Sequence, residues 1–189
     1  VLREQGLDIG LATDFKVLDQ TQAWLLIRKN FEKFDLKYYK PLGRPTRFIY
    51  DLVSHFQKCK DEEIMPEDYM GYADSLRMNM DQAPVGSKAV KSKDKSALAD
   101  MQEEADRIAE LAKAYFTYQK ILLDNNCLDF GDLIHYCLKL LRERKKIAAE
   151  YQNKFKYILV DEFQDTNYAQ YELIKLLAQP RNNSAVAAD

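Results

Sequence analysis

The chain has 189 residues, a length that suits one domain or one domain with part of a second. Its 28 basic and 30 acidic residues give a net charge of −2, which argues against a protein whose overall charge attracts nucleic acid. Three cysteines without a C-x-x-C pair argue against a disulfide framework and a zinc site, and favour a reducing cytoplasmic compartment. No apolar run approaches the roughly 20 residues that a membrane span needs, so we expect no membrane partner.

The sequence predicts a largely helical chain. Residues 1–5 are typical of a helix end, and residues 15–18 of a short extended segment. Asp19 is a suitable N-cap for a helix over residues 20–34. One face of that helix is apolar, at the spacing of a buried side: Ala23, Trp24, Ile27, Phe31 and Phe34. The same spacing predicts further helices over residues 48–60, 69–80, 97–125, 130–141 and 169–177.

Two stretches are candidates for contact with a nucleic acid. Residues 37–47, K-Y-Y-K-P-L-G-R-P-T-R, combine basic and aromatic side chains: Lys37, Tyr38, Tyr39, Lys40, Arg44 and Arg47. They suit a loop that follows a phosphate backbone, or else a solvated connection whose tyrosines cover the core. Residues 81–97 are expected to form a flexible loop, over DNA or simply in solvent, that contains Lys88, Lys91, Lys93 and Lys95.

The strongest chemical signal is a strand that ends in carboxylates. Residues 142–155 are expected to be a basic helix end and a lead-in to this strand. Tyr157–Val160 form an apolar run of the kind found in strands buried on both faces, and Asp161 and Glu162 follow directly. Carboxylates at such an edge suit Mg²⁺ and an activated water, with Gln164 and Asp165 as bracing groups. A solvated acidic turn is the alternative. Residues 184–188 are a second expected strand.

Three segments resemble a known family. I-L-V-D-E-F-Q-D-T-N, residues 158–167, closely resembles motif II, the Walker B motif, of superfamily 1 DNA helicases of the UvrD/Rep/PcrA type. L-D-F-G-D-L-I, residues 128–134, resembles the segment that precedes motif II, and its Asp132 is expected to cap or brace a helix. D-F-K-V-L-D, residues 14–19, resembles the segment after the T-F-H-S motif. The three matches occur in the family's order and cover most of the chain.

The resemblance implies a fold and a division of the chain. In this family two RecA-like domains clamp ATP, and a helical subdomain is inserted into the first. Residues 1–18 and 152–189 resemble pieces of the first RecA-like domain, and residues 19–151 resemble the insertion. We therefore expect a mainly α chain, with a bundle-like helical subdomain and one or two strands of a RecA-like α/β sheet at the C-terminal end.

The resemblance also assigns roles at the acidic turn. Asp161 would hold Mg²⁺, directly or through water, and Glu162 would polarise the water that attacks ATP. Gln164 and Asp165 would couple this site to neighbouring motifs. The implied catalytic residues are Asp161, Glu162, Gln164 and Asp165. The implied ATP ligands are Asp161, Glu162 and Gln164, and the metal ligands are Asp161 and Glu162.

The sequence lacks other parts of such an enzyme. No G-x-x-x-x-G-K-[ST] segment is present to cradle a triphosphate. The sequence begins at Val1 without methionine, so we expect a fragment of a longer ATP-dependent 3′→5′ helicase of repair or replication. Its partners would be a single-strand/duplex DNA junction, ATP with Mg²⁺, and the remaining RecA-like domains. The fragment alone should bind no cofactor and be inactive. The alternatives are a non-catalytic duplex-binding module, or the helicase part of a RecB/AddA-type helicase–nuclease.

Overall fold

The computed structural model describes residues 1–81, 92–179, 181 and 184–187. The helices of this part of the chain are α1 (Leu2–Gln5), α2 (Gln20–Lys29), α3 (Ile49–Asp61), α4 (Pro66–Asp81), α5 (Ser92–Asp124), α6 (Phe130–Glu143), α7 (Lys145–Lys154) and α8 (Tyr168–Ala178). The strands are β1 (Lys16–Leu18), β2 (Cys127–Asp129), β3 (Ile158–Val160) and β4 (Ser184–Val186). Short 3₁₀ helices cover Gly6–Ile9, Phe31–Phe34 and Phe163–Asp165. None of the described helices is both long and apolar enough to cross a membrane.

The predicted fold class is confirmed, because helices dominate and the strands form only two small parallel sheets. One sheet pairs β1 with β2, in the register Lys16 to Cys127 through Leu18 to Asp129. The other pairs β3 with β4, in the register Ile158 to Ser184 through Val160 to Val186. Parallel neighbours need a long connection between them, and here each connection contains helix.

Three helices depart most from the prediction, whereas the others differ by a few residues at their ends. The helix after Asp19 ends at Lys29, because the Asn30 side chain donates to the carbonyl of Leu26 at 3.0 Å and the chain continues as a 3₁₀ turn. Helix α7 was expected only as a basic helix end and a lead-in, since its few buried residues give a weak apolar period. Helix α5 begins at Ser92, so the last part of the expected loop is helical, whereas residues 82–91 lie outside the described part.

The main core lies between α2, α3 and α5. Phe56 of α3 stacks on Tyr115 and Tyr118 of α5, with ring centroids 4.9 and 5.4 Å apart. The predicted inner face of α2 contributes Ala23 and Ile27 to the same cluster, while Trp24 packs against its edge. This core joins the helices that precede and follow residues 82–91 into one body.

A buried ionic cluster joins α3 to α6. The ammonium group of Lys60 lies 2.6 Å from the carboxylate of Asp129 and 2.8 Å from that of Asp132, and all three side chains are buried. Tyr118 donates its hydroxyl to Asp129 at 2.9 Å, and Gln119 donates its amide to Asp132 at 2.8 Å. Asp129 is the N-cap of α6, and Asp132 completes its capping box by accepting from the Asp129 N–H, so Asp132 braces that helix, one of the two roles predicted for it. Burial raises the pKa of the Asp132 carboxyl, and the nearby Lys60 opposes this effect.

The cluster makes Lys60 a strong determinant of stability. Lys60→Met should lower the free energy of unfolding by about 3–5 kcal/mol, because it leaves two buried carboxylates without their cation. Lys58→Met, at an exposed position of the same helix, is the matched control and should change the stability little. Urea unfolding followed by circular dichroism compares the two variants. Equal stability of the two variants would contradict the assigned role.

Both histidines are harder to protonate in the folded chain than in the unfolded chain. Burial lowers the pKa of His55, and the positive charge of Lys58 adds to this effect. The ring nitrogen Nε2 of His55 lies 3.1 Å from the hydroxyl oxygen of Tyr69. Burial also lowers the pKa of His135, although the carboxylate of Glu63 opposes it.

These shifts predict a loss of stability in mild acid. Below the ordinary histidine pKa of about 6.5, the unfolded chain binds protons that the folded imidazoles do not, so the free energy of unfolding should fall as the pH drops. NMR titration of the two imidazole ring protons measures the folded pKa values directly. A midpoint at or above about 6.5 for either ring would contradict the prediction.

Candidate active site

The acidic turn lies at the carboxyl end of the β3–β4 pair. Asp161 and Glu162 directly follow β3, and the turn continues through the 3₁₀ helix to Asn167, the N-cap of α8. The Phe163 N–H donates to the carbonyl of Ala187 at 2.9 Å, which fixes the turn against the residue that follows β4. In open α/β sheets, ligands bind at this edge.

The strand itself is not buried on both faces, so that prediction is wrong for this chain. The side chains of Tyr157 and Leu159 are each 82% exposed. In the described part of the chain β3 pairs only with β4, whereas a buried parallel strand needs neighbours on both sides and helices on both faces. The apolar sequence of β3 is typical of a strand that has neighbours on both sides in a larger sheet.

The predicted site residues of the turn are brought together. Glu162 has a left-handed backbone, with φ of 52°, a conformation that non-glycine residues adopt mainly under constraint. Gln164 donates its amide to the Glu162 carboxylate at 2.6 Å, and the Glu162 N–H donates to the Asp161 carboxylate at 3.1 Å. Asp165 lines one open cavity of about 420 Å³ with Asp161 and Glu162. The other lining residues are Val160, Thr166, Gln170, Leu173 and Ile174.

The donor set of this turn fits Mg²⁺ bound together with a phosphate. Mg²⁺ retains several waters and is typically held by one or two carboxylates and by substrate phosphates. Asp161 and Glu162 provide two adjacent, exposed carboxylates. Among the described residues no group of three or more acidic, histidine or cysteine side chains could form an all-protein metal site. The two carboxylates of the turn therefore suit a metal whose other ligands are waters and phosphate oxygens.

The basic segment at residues 37–47 is divided between structural and free side chains. The backbone N–H groups of Lys37, Tyr38 and Tyr39 donate to the carboxylate of Glu110 at 2.9, 3.2 and 3.1 Å, which anchors the segment to α5. The Lys40 ammonium pairs with Glu32 at 3.0 Å.

The aromatic side chains of this segment also differ in access. The Tyr39 ring packs edge-on against Phe48, and burial, with help from the charge of Glu104, raises the pKa of its hydroxyl. Tyr38 is 44% exposed and has Arg107 over its ring. Arg44 and Arg47 are exposed. The Arg47 guanidinium lies 5.3 Å from the centroid of the Phe48 ring. Lys37 is also exposed, so exposed cationic side chains lie in both halves of the segment.

The lysine positions in the expected loop cannot be placed in the same way. Lys88 and Lys91 lie outside the described residues, and Lys93 and Lys95 belong to the first turns of α5, where only the backbone is described.

Sequence reasoning missed a second cavity, similar in volume to that at the acidic turn, and the groups behind it. A cavity of about 410 Å³ lies between α2, α3 and the start of α6. Its lining combines Leu18, Asp19, Gln20, Ala23, Val53, Ser54, Gln57, Lys58, Asp61, Tyr118, Asp129 and Phe130. These residues come from separate segments of the chain, so no local sequence motif predicts the cavity that they form. The only signal was the Asp129–Asp132 spacing, which shows a capping box but not the lysine that pairs with it.

Comparison with known proteins gives a consistent result. The family described as UvrD/REP helicase N-terminal domain matches residues 1–189. The whole chain aligns with the ATP-dependent DNA helicase PcrA of Leuconostoc citreum, at 31% identity over 191 residues and 20% of that protein. It aligns with PcrA of Staphylococcus aureus at 47% identity over 192 residues, or 21% of that protein. DNA helicase II of Rickettsia typhi is 30% identical over 194 residues, or 24% of its length. The chain thus spans about a fifth to a quarter of these relatives.

Proposed function

This chain belongs to the family of UvrD/REP helicase N-terminal domains, and we propose that it is the motif II part of an ATP-dependent DNA helicase. The observation that carries the proposal is the pair of carboxylates, Asp161 and Glu162, at the carboxyl end of two parallel strands. Its relatives are named ATP-dependent DNA helicases, which supports the assignment of ATP and DNA as ligands of the longer protein. The resemblance of motif II supports a 3′→5′ translocase in repair or replication.

The turn performs its chemistry with four side chains. Bound Mg²⁺ and ATP supply the metal and the phosphoryl group. Asp161 holds the metal, directly or through water. Glu162 orients the attacking water and accepts its proton, and the Gln164 amide, 2.6 Å from the Glu162 carboxylate, keeps that carboxylate in one orientation. Asp165 borders the same cavity, which Gln170, Leu173 and Ile174 of α8 also line.

The domain division follows from the same assignment, with one adjustment. We propose that residues 1–18 and 152–189 belong to the first RecA-like domain, and that the helical insertion begins at Asp19. The pairing of β1 with β2 joins residues 127–129 to the N-terminal piece, and α6 packs against both α1 and α8. These contacts support an insertion that ends near Asp124 rather than near residue 151.

The segment that would cradle a triphosphate is not among these 189 residues. A triphosphate needs a backbone cradle and a lysine, and no glycine in this chain precedes a lysine. We therefore propose that the other RecA-like segments of the longer protein complete the ATP site. The three cysteines are free thiols, which supports a reducing compartment such as the cytoplasm.

The decisive experiment uses the longer protein. Glu162→Gln should reduce ATP turnover stimulated by single-stranded DNA by about 100-fold or more, because the water loses its base. Glu150→Gln removes an exposed carboxylate of α7 and is the matched control. Steady-state hydrolysis is measured with and without DNA. Turnover that ignores both the DNA and the Glu162 substitution would refute the proposal.

Experiments on the isolated chain test ATP hydrolysis and DNA binding separately. We expect it to hydrolyse no ATP and to bind a single-strand/duplex junction weakly at low salt, because Arg44 and Arg47 are exposed on an anchored segment. Replacing both arginines with alanine should reduce the slope of log affinity against log salt by about one for each lost phosphate contact. Lys145→Ala is the control. ATP hydrolysis that depends on Glu162, or an unchanged slope, would contradict these expectations.

A further inference from the structure

The C-terminal end of α3 contacts the helix that follows the acidic turn. This α3 terminus, defined here as residues 57–63, comprises the last residues of α3 and the two that follow it. It lies against both α6 and α8. Helix α3 belongs to the helical insertion, whereas α8 directly follows motif II. The α3 terminus is therefore a point where the two parts of the molecule meet.

The first contact joins Asp61 to Asn167. The Asn167 amide donates to the Asp61 carboxylate at 2.8 Å. The same Asp61 oxygen accepts from Gln57 at 3.2 Å. The remaining polar groups of Asn167 form the capping box of α8: its side-chain oxygen accepts from the Gln170 N–H at 2.9 Å, and its own N–H donates to the Gln170 side chain at 3.2 Å. Asn167 thus ties the start of α8 to α3.

A second contact is ionic. The Arg142 guanidinium of α6 binds both carboxylate oxygens of Glu63, and it also lies 3.4 Å from the carboxylate of Glu172 in α8. The side chains of Glu63 and Glu172 are only 15% and 16% exposed, whereas that of Arg142 is 43% exposed, so solvent screens this network in part. Lys175 adds a second cation 2.9 Å from Glu172.

The α3 terminus is also rigid. Lys60 is held by the buried cluster described above, with both carboxylates within 2.8 Å. A Cβ atom added to Gly131 would lie 2.7 Å from the Cβ of Lys60, so α6 approaches α3 too closely for any side chain at this position. A displacement of α3 must therefore carry Asp61 with it.

We propose that the α3 terminus positions the catalytic turn, with Asp61 acting as a positioning residue for Glu162 through Asn167. Only five peptide bonds separate Glu162 from Asn167. The turn is fixed to β4 at its other end, through the hydrogen bond between Phe163 and Ala187. DNA that shifts the helical insertion would move Asn167 and so change the position of the Glu162 carboxylate. This inference rests on the proposed function, and it identifies a route by which DNA controls the rate of ATP hydrolysis.

Asn167→Asp in the longer protein tests the contact with little change to the fold. Aspartate caps helices as well as asparagine does, so the capping box is kept. The substitution removes the donor and places a second carboxylate against Asp61. DNA-stimulated kcat should fall about tenfold, because small displacements of a catalytic group are costly, while the KM for ATP and the affinity for DNA change less than about twofold.

A charge swap provides the rescue. In the double variant Asp61→Asn, Asn167→Asp, the amide at position 61 can donate to the carboxylate at position 167, so DNA-stimulated kcat should recover to within about threefold of the original value. Asp74→Asn, at an exposed position of α4, is the matched control for the loss of one carboxylate. Thermal unfolding verifies that each variant is folded. If Asn167→Asp does not fold, Asp61→Ala removes the acceptor instead and should give the same tenfold reduction.

The outcomes are distinct. An unchanged DNA-stimulated kcat in the broken pair, or a double variant that does not recover, overturns the positioning role. A parallel change in DNA affinity would also overturn it, since the effect would then arise at the DNA site. Failure of the proposed function would appear differently. ATP hydrolysis by the longer protein would then be the same with and without DNA, and the same in the original and the Glu162→Gln protein.

Discussion

The ammonium group of Lys60 is the constraint on which the arrangement of this chain depends. Two carboxylates share it without access to solvent, and a buried charge is tolerated only when its partners are in place. One partner, Asp129, ends β2, and the other, Asp132, begins α6. The pairing therefore fixes α3 relative to the strand that joins the N-terminal piece. Residues that are far apart in sequence become one rigid junction.

The same junction relates the helical part to the acidic turn. Directly beyond Lys60, Asp61 reaches the N-cap of α8, and Glu63 reaches Arg142. A buried ion pair contributes little to stability relative to an apolar core, but a geometry that separates its charges leaves them buried without partners, which is costly. The proposed coupling of DNA contacts to an ATP site would use such a fixed geometry.

The acidic turn shows how a local motif depends on distant structure. The order of residues places Asp161 and Glu162 after β3, but the left-handed backbone of Glu162 is held by the pairing with β4 and by the cap of α8. Leu159 on β3 is exposed, because among the described residues β3 pairs only with β4. The position of the carboxylates thus depends in part on β4, which lies outside the motif.

The sequence alone determined the helical character of the chain, the acidic strand end and the family, because these depend on periodicity and on contiguous motifs. It also placed the bracing role of Asp132, since a capping box lies within four residues. It did not reveal that Lys60 pairs with two aspartates, that Asn167 donates a hydrogen bond to Asp61, or that Lys40 forms an ion pair with Glu32. Those partners lie in different elements, and only tertiary packing brings them within hydrogen-bonding distance. The burial of β3 was mispredicted for the same reason, because burial depends on neighbours rather than on the strand's own residues.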